Sequence, residues 1–353
     1  MDRFLVLEDG TIYRGKGFGS DTGASGEVVF TTSMTGYVET LTDPSYLGQI
    51  IVFAHPTIGN YPWSEEMMES GLVHAAGVIT REGHTIMGSR TGKEPLHDLL
   101  ETYGVPGIDG IDTRSLIMKI REKGTMKGVI CSDPSTATEF VDIGSMNLLR
   151  QLKVKRRTVS GEGEMNILMI DTGAKKSMID HLSALGNIEI VPYDHDFSSI
   201  NAGHDLLFLT NGPGDPNHPA NEKMIQYVRE NIGRIPVAGI CLGHQIIALA
   251  AGASTSKMRF GHRGVNHSVS DGLRTFVTSQ NHGYAVDTKS IQKTAMDITL
   301  VDTNDGTVEG LRNAELGLLS VQFHPEARPG PWDALSFFGE VRDMVMRFNA
   351  KKA

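Results

Sequence analysis

The feature that most restricts the fold is a series of five largely apolar runs in the second half of the chain, at residues 167–170, 188–191, 206–209, 237–240 and 318–323, broken only by Glu189, Ser320 and Gln322. A strand that faces water on one side alternates polar and apolar residues. A run that is apolar throughout is buried on both faces, as in a parallel sheet with helices above and below. Residues 175–185, 221–232 and 242–251 have helical spacing and enough length for right-handed crossovers between those strands. In such sheets the reactive groups gather at the carboxyl ends of the strands.

The first half reads differently. It is rich in Gly and Thr, with short β-type runs at 4–7, 27–31, 49–54 and 127–131. Helical spacing occurs at 96–103 and at 113–123, where Leu116, Ile117 and Ile120 share a face behind the cap-like Asp112. Between the halves, residues 153–164 are polar and glycine-containing, with nothing to bury. The expected fold class is α/β, a mainly-β amino-terminal domain followed by a doubly wound α/β domain. The expected boundaries are 1–152, a linker at 153–164, and 165–353. No repeat or low-complexity tract interrupts either half.

The formal net charge of −9 opposes a polyphosphate backbone, so nucleic acid is not an expected partner. The basic run at 153–157 could be a phosphate-binding strip or a localisation signal, but charge runs usually lie in water, and a solvated linker is the simpler reading. Only two cysteines, Cys131 and Cys241, occur in a chain too large to depend on disulfides, which suits a reducing cytoplasm. The apolar run at 4–7 is too short for a secretory core, and no stretch approaches the ~18 residues that would cross a bilayer. A soluble cytoplasmic protein is expected.

Gly239-Ile240-Cys241-Leu242-Gly243 lies where a predicted strand meets a predicted helix. This is the pattern of a nucleophile elbow, a turn so tight that a Cβ on either side of the central residue would clash. The start of the helix adds partial positive charge and favours thiolate over thiol. Cys241 is therefore expected to be exposed and activated. An arbitrary cysteine is more often a packed core residue, and Cys131 is read that way.

A thiolate that expels an amine needs a base able to become an acid, and a third group to hold that base. His324-Pro325-Glu326 supplies both. If the segment stays extended after its strand, residues two apart project to one side and the pair acts as a unit. Most of the chain's 13 histidines are expected to be structural, but position at a strand's end beside a carboxylate singles out His324. Attack on a carbonyl also builds an oxyanion that needs N–H donors. Asn211-Gly212-Pro213-Gly214-Asp215-Pro216 follows a predicted strand, and the Gly212 and Leu242 amides are candidate donors. Elsewhere such a loop would be a plain turn.

Together with Gly239 to Gln245, this loop, Gln280-Asn281-His282-Gly283-Tyr284 and His324-Pro325-Glu326 resemble the class I, triad-type glutamine amidotransferases. The first half, through residues 31–37 and 41–46, resembles the amino-terminal domain of the carbamoyl-phosphate synthase small subunit. The likeness runs almost the whole length. It implies that Cys241, His324 and Glu326 form a catalytic triad, with the Gly212 and Leu242 amides stabilising the oxyanion. It also implies that Ser45, Gly214, Gln245, Asn281, Gly283 and Tyr284 hold the amino-acid portion of glutamine, Ser45 completing the pocket from the other domain. Alone, Ser45 would read as a turn hydroxyl. Two features depart from the pattern: Tyr284 stands where some relatives carry Phe, which keeps the ring, and the 153–164 segment is shorter than in bacterial relatives.

No phosphate-loop string occurs; residues 88–93 come near it with the wrong spacing. Residues 15–19, glycine at every second position, are expected to form a β-turn rather than a dinucleotide fingerprint. His262 and His267 are read as lacking cysteine or carboxylate companions that would suggest a metal, so no metal and no cofactor is expected on this chain. The resemblance implies a large synthase partner that uses ATP and magnesium, receives the ammonia and builds carbamoyl phosphate from bicarbonate, for arginine and pyrimidine synthesis. Two alternatives keep the same motifs: a self-contained γ-glutamyl hydrolase, and a non-catalytic module with a vestigial elbow.

Overall fold

A computed structural model of the chain describes residues 1–82 and 95–352; the phosphate-loop near-match at 88–93 lies outside them. The chain divides into two compact units, Met1–Met146 and Asn147–Ala353.

In the first unit, β1 (Asp2–Leu7), β2 (Ile12–Gly19), β3 (Ala24–Thr31), β4 (Gln49–Phe53), β5 (Gly77–Ile79), β6 (Pro106–Asp109) and β7 (Met126–Cys131) close a barrel in the order β1-β2-β6-β5-β4-β3-β7. Its four expected apolar runs are β1, β3, β4 and β7. Among the described residues three helices accompany it: α1 (Tyr37–Thr42), α2 (Pro95–Thr102) and α3 (Thr113–Lys123). Asp112 caps α3, its Oδ1 accepting from the Ser115 amide at 3.0 Å. Residues 15–19 are not the expected turn but part of β2, paired with β1 and β6. The glycines there answer to crowding rather than turning, since a Cβ on Gly15 would lie 2.2 Å from the Asp109 carbonyl oxygen.

The second unit is built on one ten-stranded sheet. Its strands are β8 (Arg157–Val159), β9 (Met165–Asp171), β10 (Gly186–Pro192), β11 (Leu206–Leu209), β12 (Val237–Ile240), β13 (Thr255–Ser270), β14 (Thr275–Val286), β15 (Asp297–Asp302), β16 (Val308–Asn313) and β17 (Leu318–Val321). Helices α4 (Lys176–Ser183), α5 (Glu222–Asn231) and α6 (Leu242–Ala250) match the predicted crossovers, and α7 (Thr288–Ile291) and α8 (Ser336–Ala350) follow. The five apolar runs are the parallel centre, in the order β10-β9-β11-β12-β17. Core clusters form around this centre. One includes Ile170, Leu207, Leu209, Ile246 and Ile247, the other Ile167, Met169, Phe208, Ile240 and Phe338.

Beyond β17 the sheet continues antiparallel through β16, β15 and the long β13–β14 pair. At the other edge, β8 falls inside the 153–164 segment expected as a linker and pairs with β10. Its Arg157 and Thr158 are exposed, as suits an edge strand that must face water. Among the described residues, no helix is long and apolar enough to cross a membrane.

Candidate active site

The turn from β12 into α6 places Cys241 at φ 56°, ψ −105°, a region that non-glycine residues rarely adopt and that costs about 1–3 kcal/mol. Neighbouring contacts hold it there: the Cys241 amide donates to the Val321 carbonyl at 2.9 Å, and Cys241 O accepts from the Gln245 amide at 3.2 Å. Both flanking glycines are sterically required. A Cβ on Gly239 would lie 2.8 Å from the Gly243 carbonyl carbon, and one on Gly243 would lie 2.3 Å from Leu209 O.

The expectation that Cys241 is exposed does not hold, for the residue is only 2 % exposed. Its sulfur lies 3.6 Å from the Asn281 carbonyl oxygen, so β14 covers the elbow. The turn does lift the side chain off the sheet end, but toward the Asn281 carbonyl of β14 rather than into solvent. Such a site excludes bulk water and strengthens every charge interaction inside it.

His324 joins β14 through its amide, which donates to Ser279 O at 2.8 Å. Its Nδ1 lies 2.6 Å from Glu326 Oε1. The pair was expected on an extended segment; it is made instead by a turn in which the Ala327 amide donates to His324 O at 3.2 Å. A carboxylate only accepts, so Nδ1 carries the hydrogen and Nε2 is the end free for chemistry. Nε2 has no aligned hydrogen-bond partner among the described residues. The Cys241 thiol lies close enough for its interaction with the ring to help set the ring's charge.

Burial works against a charged imidazole here. The Glu326 charge, the nearby Cys241 side chain and the hydrogen bond with Glu326 outweigh it and raise His324 to about 10. Burial likewise disfavours the Glu326 carboxylate, yet Lys175 and then His324 hold it down at about 2. Lys175 was not singled out from sequence. It is 2 % exposed, its Nζ lies 3.1 Å from Glu326 Oε1, and it donates to Ala327 O at 2.5 Å. Its position just after a core strand at the sheet's functional edge was the available signal.

The Gly212 loop packs against the elbow, since a Cβ on Gly212 would meet Thr172 O at 2.1 Å and Leu242 Cδ2 at 3.0 Å. Leu242 opens α6, so its amide is among the donors that a helix start leaves unpaired. Gln245 ties α6 to the neighbouring strands, its Nε2 donating to Tyr284 O at 2.8 Å and Gln322 Oε1 at 2.9 Å. Asn281, Gly283 and Tyr284 lie on β14, and Gly214 turns at φ 98° beside Leu148. The second unit thus contributes every named site residue but Ser45. Ser45 is buried in the first unit's short turn Pro44–Tyr46, its amide donating to Asp43 Oδ1 at 2.9 Å.

One expectation about metal ligands fails. His262 and His267 do have carboxylate companions, because β15, β16 and the turn between them bring Asp302, Asp305 and Glu309 against them from 35 or more positions away in sequence.

Comparisons with known proteins match stretches of both units. Residues 5–130 match the family described as carbamoyl-phosphate synthase small chain, CPSase domain, and residues 168–344 match glutamine amidotransferase class-I. The carbamoyl phosphate synthase small chain of Thermoplasma acidophilum is 44 % identical over 97 % of this chain and 97 % of its own length. The protein of that name from Staphylococcus epidermidis is 42 % identical over 99 % of this chain and 98 % of its own. The one from Archaeoglobus fulgidus is 42 % identical over 99 % of this chain and all of its own.

Proposed function

We propose, for a chain that belongs to the carbamoyl-phosphate synthase small-chain family, that it hydrolyses glutamine to glutamate and ammonia and passes the ammonia to a large ATP-using synthase subunit. The observation that carries this is the buried assembly of Cys241, His324 and Glu326, in which the thiol meets an imidazole oriented by a carboxylate.

In the proposed reaction the Cys241 thiolate attacks the side-chain carbonyl carbon of glutamine, and the Gly212 and Leu242 amides hold the oxyanion. The imidazolium of His324 gives its proton to the departing nitrogen, the C–N bond breaks and ammonia leaves a γ-glutamyl thioester. His324, now neutral, takes a proton from water, which attacks the thioester and releases glutamate and the thiolate. Glu326 keeps the ring's Nδ1–H fixed throughout. Gly214, Gln245, Asn281, Gly283 and Tyr284 hold the amino-acid end of the substrate, and the resemblance adds Ser45 to them. Ser45→Ala then raises the KM for glutamine.

These steps use only groups of the chain, so no cofactor is required on it. ATP and magnesium serve the partner's chemistry, with bicarbonate as the other substrate, in a cytoplasmic heterodimer that supplies arginine and pyrimidine synthesis.

Cys241→Ser tests the assignment. Glutamine turnover should fall by at least about 1,000-fold, while ammonia-driven synthesis by the assembled complex continues. Glutamine turnover that survives the substitution would show that another group is the nucleophile.

A further inference from the structure

We propose that His262, His282 and Glu309 form a site for a divalent transition-metal cation of the zinc class, apart from the catalytic groups. His262 and His282 are direct cross-strand partners on β13 and β14, with ring centroids 5.0 Å apart, and Glu309 faces them from β16. All three are buried, at 6 %, 5 % and 0 % exposure.

Three observations point to a cation. Glu309 Oε1 is buried without a hydrogen-bond partner among the described residues, a costly state for a carboxylate oxygen. It lies 3.7 Å from His262 Nδ1 and 3.8 Å from His282 Nε2. These separations are long for hydrogen bonds, yet close to the about 3.4 Å between ligand atoms that sit about 2.1 Å from a shared tetrahedral ion. One candidate ligand atom from each residue lies within 4.8 Å of those of the other two.

The outer nitrogen of each ring is held in the manner of a metal-binding histidine, which gives its second nitrogen to a carboxylate or carbonyl. His262 Nε2 lies 2.9 Å from Asp305 Oδ2, and His282 Nδ1 lies 2.9 Å from Tyr284 O. A carbonyl only accepts, so His282 Nδ1 carries its hydrogen. In a neutral ring, Nε2 then turns a lone pair toward Gln280 Oε1, only 2.6 Å away. Reversing Gln280, whose Nε2 donates to Glu309 Oε2 at 3.1 Å, would set two oxygens against each other unless Glu309, which burial raises to about 7, takes up a proton. A cation between these atoms removes the conflict, and Gln280 Oε1, also 3.3 Å from His262 Nδ1, becomes the fourth donor. Binding releases any proton on the inward-facing nitrogens.

The rival occupant is a proton on His262. Burial pulls that ring down, but Glu309, Asp305 and Asp302 lift it to about 9. Either occupant would pin β14 on both sides of Asn281, which lies between Gln280 and His282.

The test uses the full chain carrying Cys241→Ser, so that the catalytic thiol binds no metal. After chelation it is titrated with cobalt(II), followed by visible ligand-field absorption and thermal unfolding. The expected result is one saturable equivalent with a four-coordinate nitrogen–oxygen spectrum and a raised Tm. Glu309→Gln and His262→Gln should each weaken binding by at least about 100-fold. Absence of a saturable equivalent, or binding that both substitutions leave unchanged, overturns the site and leaves the proton as occupant. If the substituted chains do not fold, pulsed electron paramagnetic resonance of the copper(II)-loaded Cys241→Ser chain decides. Two coordinated imidazole nitrogens support the site, and fewer overturn it.

Discussion

Glu326 is held between Lys175 and His324 with essentially no access to water, so its charge is tied to both neighbours. His324 is raised from 6.5 to about 10, so the stability it contributes is complete below pH 6.5 and is lost as pH rises through 10. Glu326 is lowered from 4.5 to about 2, so its contribution is complete above pH 4.5 and is lost as pH falls through 2. The pair therefore stabilises fully between pH 4.5 and 6.5. Unfolding free energies of the wild type and Glu326→Gln should differ most in that window and converge on either side. A difference that grew above about pH 8 would contradict the coupling. Lys175 touches Glu326 and the Ala327 carbonyl, which makes it a positioning residue. Lys175→Met leaves the carboxylate with one buried partner and should cost about 3 kcal/mol in chemical denaturation, near the low end for a broken buried pair because His324 remains. It should lower kcat for glutamine with little change in KM. A rise in KM alone would mean that Lys175 acts on substrate binding instead.

At the scale of elements, the elbow works because α6 packs too closely on β11 for any side chain at Gly243. Gly243→Ala should destabilise the chain by about 3 kcal/mol in urea unfolding, since the colliding atom is the Leu209 backbone carbonyl, which cannot move aside. Gly339 is the opposite case. It lies inside α8 with nothing among the described residues within 4 Å of an added Cβ, so Gly339→Ala should stabilise by about 1 kcal/mol through helix propensity. The contrast also explains what could be read in advance. The parallel centre was legible because strands buried on both faces are mostly apolar, and the elbow because its glycines have a steric cause. The β13–β14 pair was not, because its buried positions hold His262, Gln280, Asn281 and His282, whose polarity resembles a loop until cross-strand partners satisfy it. Lys175 stayed hidden for a similar reason: a lysine reads as surface until a buried carboxylate is known to face it. The companions of His262 come from β15, β16 and the turn between them, a distance along the chain that no local spacing rule spans.

For the whole molecule the deciding question is what becomes of the ammonia. Near neutral pH free ammonia is almost entirely protonated and no longer nucleophilic, so a chain that released it into water would waste its own product. The covered sulfur at Cys241 suits a reaction kept from bulk solvent. A glutaminase that feeds a synthase gains from running slowly until the consumer is loaded, and a ligand-bound partner can raise its rate only by favouring the competent arrangement of the site. Glutamine turnover by the lone chain should therefore be low and should rise by at least about 10-fold when the large subunit, bicarbonate and ATP are all present, a coupling of about 1.4 kcal/mol. Leaving out ATP should remove most of that gain. A self-contained γ-glutamyl hydrolase makes the opposite prediction: rapid, partner-independent turnover that extends to γ-glutamyl peptides. A vestigial site makes a third, with a glutamine-mimicking electrophile labelling Cys241 no faster than Cys131. Steady-state glutamate release, measured with the lone chain, with the partner, and with the partner plus ATP, separates the first two, and mass spectrometry of the labelled chain separates the third.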